Sequence, residues 1–160
     1  MIQRQIVVDK LTPILKDIDP DYRVEQRVRR ETFDASSRAK RLEILGDKTT
    51  YAEVLTSTPT FTGRRSSNKT PNYNYAMRVN VWYGYHDAQS YDQSSQSIFD
   101  DIVHKVLEGF SADGGTDREG VFYYIDEPYD ASEPSLVSLS NDGKELAHYL
   151  TFRVNVRTQN

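Results

Sequence analysis

Between residues 73 and 85 the chain sets Tyr75, Met77, Val79, Val81 and Tyr83 in alternation with Asn74, Arg78, Asn80 and Trp82. Residues 146–157 repeat the device, with Leu146, His148, Leu150, Phe152, Val154 and Val156 alternating with Ala147, Tyr149, Thr151, Arg153, Asn155 and Arg157. Successive side chains of a strand point to opposite faces, so a period of two sustained this long commits both stretches to half-buried strands. One face of their sheet is apolar and must be covered by another layer. The other would present Arg23, Arg27, Arg29, Arg78, Arg153 and Arg157 with Trp82 and Tyr149 between them, and cannot all be dry.

Two helical patterns supply the cover. Ile2, Ile6, Val7, Leu11, Ile14, Leu15 and Ile18 fall at helical spacing, with Pro13 as the dissenting residue. Proline lacks the backbone donor a helix interior needs, so a kink is expected there, or an end near Leu11 and a fresh turn from Pro13. The second pattern opens on a capping box, Ser90 with Gln93, and continues through Tyr91, Ile98, Phe99, Ile102, Val103, Val106, Leu107 and Phe110. Gly109 and Gly114-Gly115 are expected to end it.

Shorter strands complete the order. After Asp19-Pro20-Asp21, Tyr22, Val24, Gln26 and Val28 alternate with Arg23, Glu25, Arg27 and Arg29. Val121, Tyr123 and Ile125 mark a short strand, residues 135–140 another, and Asn141-Asp142-Gly143 a hairpin turn into the last long strand. Residues 31–70 hold no sustained period. Within them 41–45 and 51–56 fit strand or helical turn, while Gly63 to Asn72 reads as loop by composition. So long a connection is unusual in a compact domain, and we expect a long hairpin arm or a partly flexible loop. The whole implies a single α+β domain over residues 1–160, a mostly antiparallel sheet of about four to five strands with two amphipathic helices packed on one face.

Charge is divided along this order. The formal net charge is -4, yet residues 21–80 carry a balance of +5 and residues 86–160 one of -9. A protein with two opposite patches can attract nucleic acid through one of them or copies of itself through both. Mean hydropathy is -0.70, and 11 Tyr and 6 Phe provide much of the available apolar surface. Amphipathic aromatics of this kind suit surfaces that become buried on assembly. No apolar run approaches the roughly 18 residues of a membrane span, and Arg4 and Asp9 interrupt the stretch a signal peptide would need. The expectation is a soluble, unexported protein without a membrane partner.

The chain contains no cysteine, which excludes disulfides, thiolate nucleophiles and cysteine-based metal centres. His86, His104 and His148 fall in a turn, a helix and a strand, with no carboxylate or second histidine at ligand spacing. Asp113, Asp117 and Glu119 crowd the loop ADGGTDREG without the ligand series of a calcium loop, so it reads as a helix-terminating turn. Gly114-Gly115 begins neither a P-loop nor a dinucleotide fingerprint, and Asn68-Lys69-Thr70 is a chance glycosylation match. We therefore expect no catalytic residues, no cofactor, no bound metal and no enzyme activity. Arg38, Lys40, Arg41, Arg64, Arg65 and Lys69, several beside hydroxyl side chains, form a candidate basic loop for a DNA channel or an inter-subunit contact. Trp82, Tyr149, Arg153 and Arg157 form a candidate assembly surface.

The helix of residues 1–18, the strand NYNYAMRVNVWYGY, the helix SYDQSSQSIFDDIVHKVLEGF and the closing strand ELAHYLTFRVNVRTQ together resemble the tail terminator, or tail completion, proteins of long-tailed bacteriophages. The resemblance covers most of the chain as a pattern of elements. It implies a structural virion protein at the head-tail junction, made in the host cytoplasm, that forms a hexameric ring capping the tail tube. Its implied partners are copies of itself, the tail tube protein and the head-tail connector or stopper protein, with DNA passing without sequence specificity. The alternatives are another neck or head-completion connector protein, and a small cytosolic nucleic-acid-binding domain.

Overall fold

The computed structural model describes residues 2–27, 50–56, 60–64, 71–85, 93–111, 115–118, 120–138 and 146–159. They form α1 (Ile2–Ile18), β1 (Arg23–Arg27), β2 (Thr50–Thr56), β3 (Thr60–Arg64), β4 (Pro71–Tyr85), α2 (Gln93–Ser111), β5 (Thr116–Arg118), β6 (Val121–Ile125), β7 (Ser135–Ser138) and β8 (Leu146–Gln159).

The two long alternating segments are the central strands. β4 and β8 pair antiparallel over twelve residues of each, from Asn74 opposite Arg157 to Tyr85 opposite Leu146. Outward from them the order is β1-β2-β4-β8-β6-β5, with β3 pairing the start of β4 and β7 pairing the start of β8. The sheet curls as a half-barrel. α+β character holds, but among the described residues the strands number eight, not four to five, and β1 runs parallel to β2, so the sheet is mixed. A parallel pair needs a crossover between its strands. β1 and β2 are joined through residues 28–49, outside the described set, as are residues 41–45 and the candidate turn at 141–143.

β2 and β3 lie one after the other along the same side of β4, both antiparallel to it. Gly63 and Asn72, expected in a loop, face each other as paired strand residues, and Arg64 pairs with Pro71. A hairpin ladder therefore continues well beyond the core-forming part of β4.

Register places an apolar row of β2, β4, β6 and β8 toward the helices. Ala52 and Val54, Met77, Val79 and Val81, Leu150, Phe152, Val154 and Val156, and Tyr123 and Ile125 are buried together with Ile6, Val7, Leu11 and Leu15 of α1 and Phe99, Ile102, Val106 and Phe110 of α2. Tyr22 closes this core beneath β4, its hydroxyl donating to the Trp82 carbonyl at 2.8 Å. Burial, with Tyr83 and Asp19 adding to it, pushes the phenol well above its ordinary pKa of 10.0.

α1 passes through Pro13 as one helix, so of the two expected outcomes the end near Leu11 does not occur. Pro13 is exposed, so the Asp9 carbonyl that loses its helical donor lies on the solvent side, where water can serve it. α2 likewise runs through Gly109. A Cβ there would stand 2.5 Å from Cδ1 of Ile14, so this glycine is a point of close approach between the two helices instead of a helix end.

The acidic loop holds structure too. β5 and β6 form a tight hairpin, Arg118 opposite Val121, and the Gly120 amide donates to the Asp117 carboxylate at 3.2 Å. Asp117 thus stabilises a turn. Gly115 enters this hairpin at φ +92, where a Cβ would meet the Phe122 ring at 2.3 Å. Gly115→Ala is expected to lower stability by about 1–3 kcal/mol from strain and displacement of that ring. Gly120 has φ +79 but open space around it, so Gly120→Ala should cost only the backbone share, about 1 kcal/mol. Urea midpoints of the two variants measure the difference.

Candidate assembly surface

The face of the sheet turned away from the helices is built by the opposite parity. Arg78 stands across from Arg153, Asn80 from Thr151, Trp82 from Tyr149 and Asn74 from Arg157. On the far side of β4, Tyr51 faces Trp82 and Glu53 faces Asn80. Arg23 and Glu25 of β1 continue the same rows.

Trp82 is only 3% exposed. Its ring lies between Tyr51 at 5.6 Å and Tyr149 at 5.1 Å, both tilted against it. With Ala147 these side chains make a second, smaller core on the outer face. Trp82 therefore underlies the candidate surface and does not offer a contact area of its own.

A polar chain borders this aromatic row. The Tyr149 hydroxyl donates to Asn80 Oδ1 at 3.0 Å, and Asn80 Nδ2 donates to Glu53 Oε1 at 3.0 Å, with Glu53 and Asn80 both buried. The Tyr51 hydroxyl reaches Glu25 at 3.4 Å, and the Arg23 guanidinium sits 5.8 Å from the centre of the Tyr51 ring. Buried polar groups joined this way hold neighbouring side chains in one arrangement.

Among the described side chains, four arginines are exposed on this face, and they differ in company. Arg157 donates to Asp126 at 2.8 Å and lies over the Tyr124 ring at 4.9 Å. Arg23 has the Tyr51 ring. Arg78 and Arg153 are both exposed, stand directly opposite each other, and form no ion pair among the described residues. Like charges in direct opposition across a sheet cost a few tenths to about 1 kcal/mol. Along the β8 edge beside them runs a segment bonded to β8 at Tyr129 and Ser132, whose Glu127, Asp130 and Glu133 are exposed.

Of the candidate basic loop, Arg64 is the last residue of β3, while Arg38, Lys40, Arg41, Arg65 and Lys69 lie outside the described residues, as do Arg29, His86, Asp113 and Glu119. The four candidate assembly residues do share one face of β4 and β8. Glu53 was not anticipated as part of this surface, because the stretch 51–56 fits either strand or helix and only pairing with β4 places Glu53 beside Asn80.

The histidines need one correction. His104 does have a carboxylate at helical spacing, Glu108, at 3.1 Å, in an exposed i,i+4 pair. Such pairs contribute little. Among the described residues no group of three or more His, Asp or Glu is placed to hold a metal ion, and no helix is long and apolar enough to cross a membrane.

His148 is buried at the end of the inner face, its ring stacked on Phe99 at 5.2 Å and facing Tyr83 at 6.4 Å. Burial lowers its pKa from 6.5, against a smaller opposing effect of Asp100. The unfolded chain consequently binds the proton more readily than the folded one. Stability is full above pH about 6.5 and falls as pH drops from there toward the lower folded value. Urea midpoints at pH 7.5 and 5.5 should show this loss, and His148→Phe should reduce it.

The chain matches no protein-family model and no curated protein sequence.

Proposed function

We propose that this chain is an assembly subunit of a long-tailed bacteriophage, a tail terminator that forms a ring on the tail tube and joins the tail to the head connector. The observation that carries the reading is the two-sided character of the sheet. Two helices seal one face, whereas the other combines a buried aromatic base with exposed Arg78 and Arg153, which have no counter-charge among the described residues. A lone globular subunit gains nothing from two opposed arginines at the middle of its sheet. A subunit completed by neighbours does, because closed rings use two different surfaces of each copy. The β3–β4 pairing, which continues the sheet beyond the core-forming part of β4, gives such a subunit reach toward adjoining rings.

The decisive experiment mixes the protein with self-assembled tail tubes of the same phage and images them. Rings at tube ends, and an end to tube growth, are expected. Absence of both, together with no retention of connector or tube protein in a pulldown, would remove the reading. The exposed arginines also favour a second one, binding to the nucleic-acid backbone. That reading expects steep salt dependence of binding to short duplex DNA by the free protein.

A further inference from the structure

We infer that Arg78 and Arg153 form a carboxylate-accepting site that receives the exposed acidic face of α2 from a second copy of this chain. This deepens the ring reading and rests on self-assembly, since it names the two surfaces that meet.

The site follows from register. Arg78 and Arg153 are cross-strand partners on the two central strands, so their guanidinium groups leave the sheet side by side. Asn80 and Thr151 border them on one side and Ala76 and Asn155 on the other. Guanidinium offers paired donors in a plane that matches a carboxylate, and two adjacent groups can hold one anion between them. Arg157 and Arg23 already have Asp126 and the Tyr51 ring, respectively. Among the described side chains, the opposed pair is the part of the face with charge to give.

The occupant follows from the other layer. α2 exposes Asp100, Asp101 and Glu108, and Lys105 is its one Lys or Arg. Ile98, at 40% exposure, adds an apolar side chain at the margin of that face. α2 packs on the inner face of the sheet and the arginines project from the outer face, so one copy cannot make this contact with itself. Two different surfaces meet, which is the geometry of head-to-tail association.

A nucleic-acid strand fits the same arginines less well. A phosphate backbone laid across this face would also run past exposed Glu127, Asp130 and Glu133 along the β8 edge. A helix can place its carboxylates on the arginines and turn Lys105 toward those acids.

Charge exchange tests the contact. Sedimentation velocity of the full chain at low salt should show self-association that weakens as salt rises. A variant with Arg78→Glu and Arg153→Glu, and another with Asp100→Lys and Asp101→Lys, should each associate more weakly by about tenfold or more. Mixed in equal amounts, they should recover association, because each reversed surface then meets its complement. Emission from Trp82 reports that both variants are folded. Three results would overturn the inference: a wild-type chain that stays monomeric at every salt and concentration, variants that associate like wild type, or mixing that restores nothing. Loss of DNA retention with unchanged self-association would assign the arginines to nucleic acid and overturn it as well. Tube capping separates the two levels of the proposal. Capping that survives both charge reversals leaves the ring reading in place without this contact, whereas association rescued by mixing but no capping by wild type leaves the contact without the ring's proposed role.

Discussion

Trp82→Ala is expected to destabilise the protein by about 3–5 kcal/mol, the range for removing a buried large aromatic side chain. The expectation does not come from the main core, because Trp82 points to the opposite face. It comes from Tyr51, Trp82, Tyr149 and Ala147, which make up the apolar cluster there. Without the indole, Tyr51 and Tyr149 lose the ring that each packs against, at 5.6 and 5.1 Å. Tyr149 is also the donor to Asn80, which in turn holds the buried Glu53 carboxylate. A cavity at Trp82 thus loosens a polar chain whose members are costly to leave unsatisfied. Trp82→Phe should cost markedly less, since a ring remains between the tyrosines. Because Trp82 is the only tryptophan, unfolding of both variants is followed by circular dichroism. A double-mutant cycle of Trp82→Phe with Tyr149→Leu should show coupling of about 0.5–1.5 kcal/mol from the ring contact. A stability loss below about 1 kcal/mol for Trp82→Ala would show that the outer aromatic row is not a second core.

How much of this can be read from the sequence depends on whether the signal is local. The alternation around Val79 and Phe152 names its strands directly, because each position repeats the same choice of face. The spacing of Phe99, Ile102, Val106 and Phe110 does the same for α2. β3 escapes such a reading: Thr60–Arg64 leads into a run rich in Ser, Arg and Asn, and the segment is a strand only because β4 extends far enough to pair with it. β5 is three residues long, too short for any period. The parallel direction of β1 and β2 has no residue-level signal at all, since direction follows from the path between strands. Gly109 looks like a helix end, yet its lack of a side chain serves contact with Ile14. The surface shows the same division. Strand parity alone puts Arg78 and Arg153 on one face, whereas the burial of Trp82 depends on Tyr51 arriving from a strand whose register the sequence does not announce.

Phe152→Ala is expected to be the other severe change, again by about 3–5 kcal/mol, but through the opposite face. Phe152 is fully buried at the middle of β8, opposite Val79, and meets Phe110 edge-to-face at 5.6 Å. Phe110 lies in the last turn of α2, so this contact fastens the end of the helix to the central strand. Removing the ring leaves a void bounded by a strand on one side and a helix on the other. Neither side can close it without disturbing the register of β4 and β8 or the approach of α2 to α1 at Gly109. Trp82 lies on the other side of the same sheet and keeps Tyr51 and Tyr149 around it in this variant. Its emission should therefore remain that of a buried indole in the absence of urea, and shift only with global unfolding at a much lower urea midpoint. Hydrogen exchange on α2 supplies a second reading: if the void weakens mainly the helix–sheet contact, amides near Phe110 should lose protection before those of β4. Equal loss in both would mean that the two layers unfold as one unit, and an unchanged urea midpoint would show that Phe152 does not anchor them.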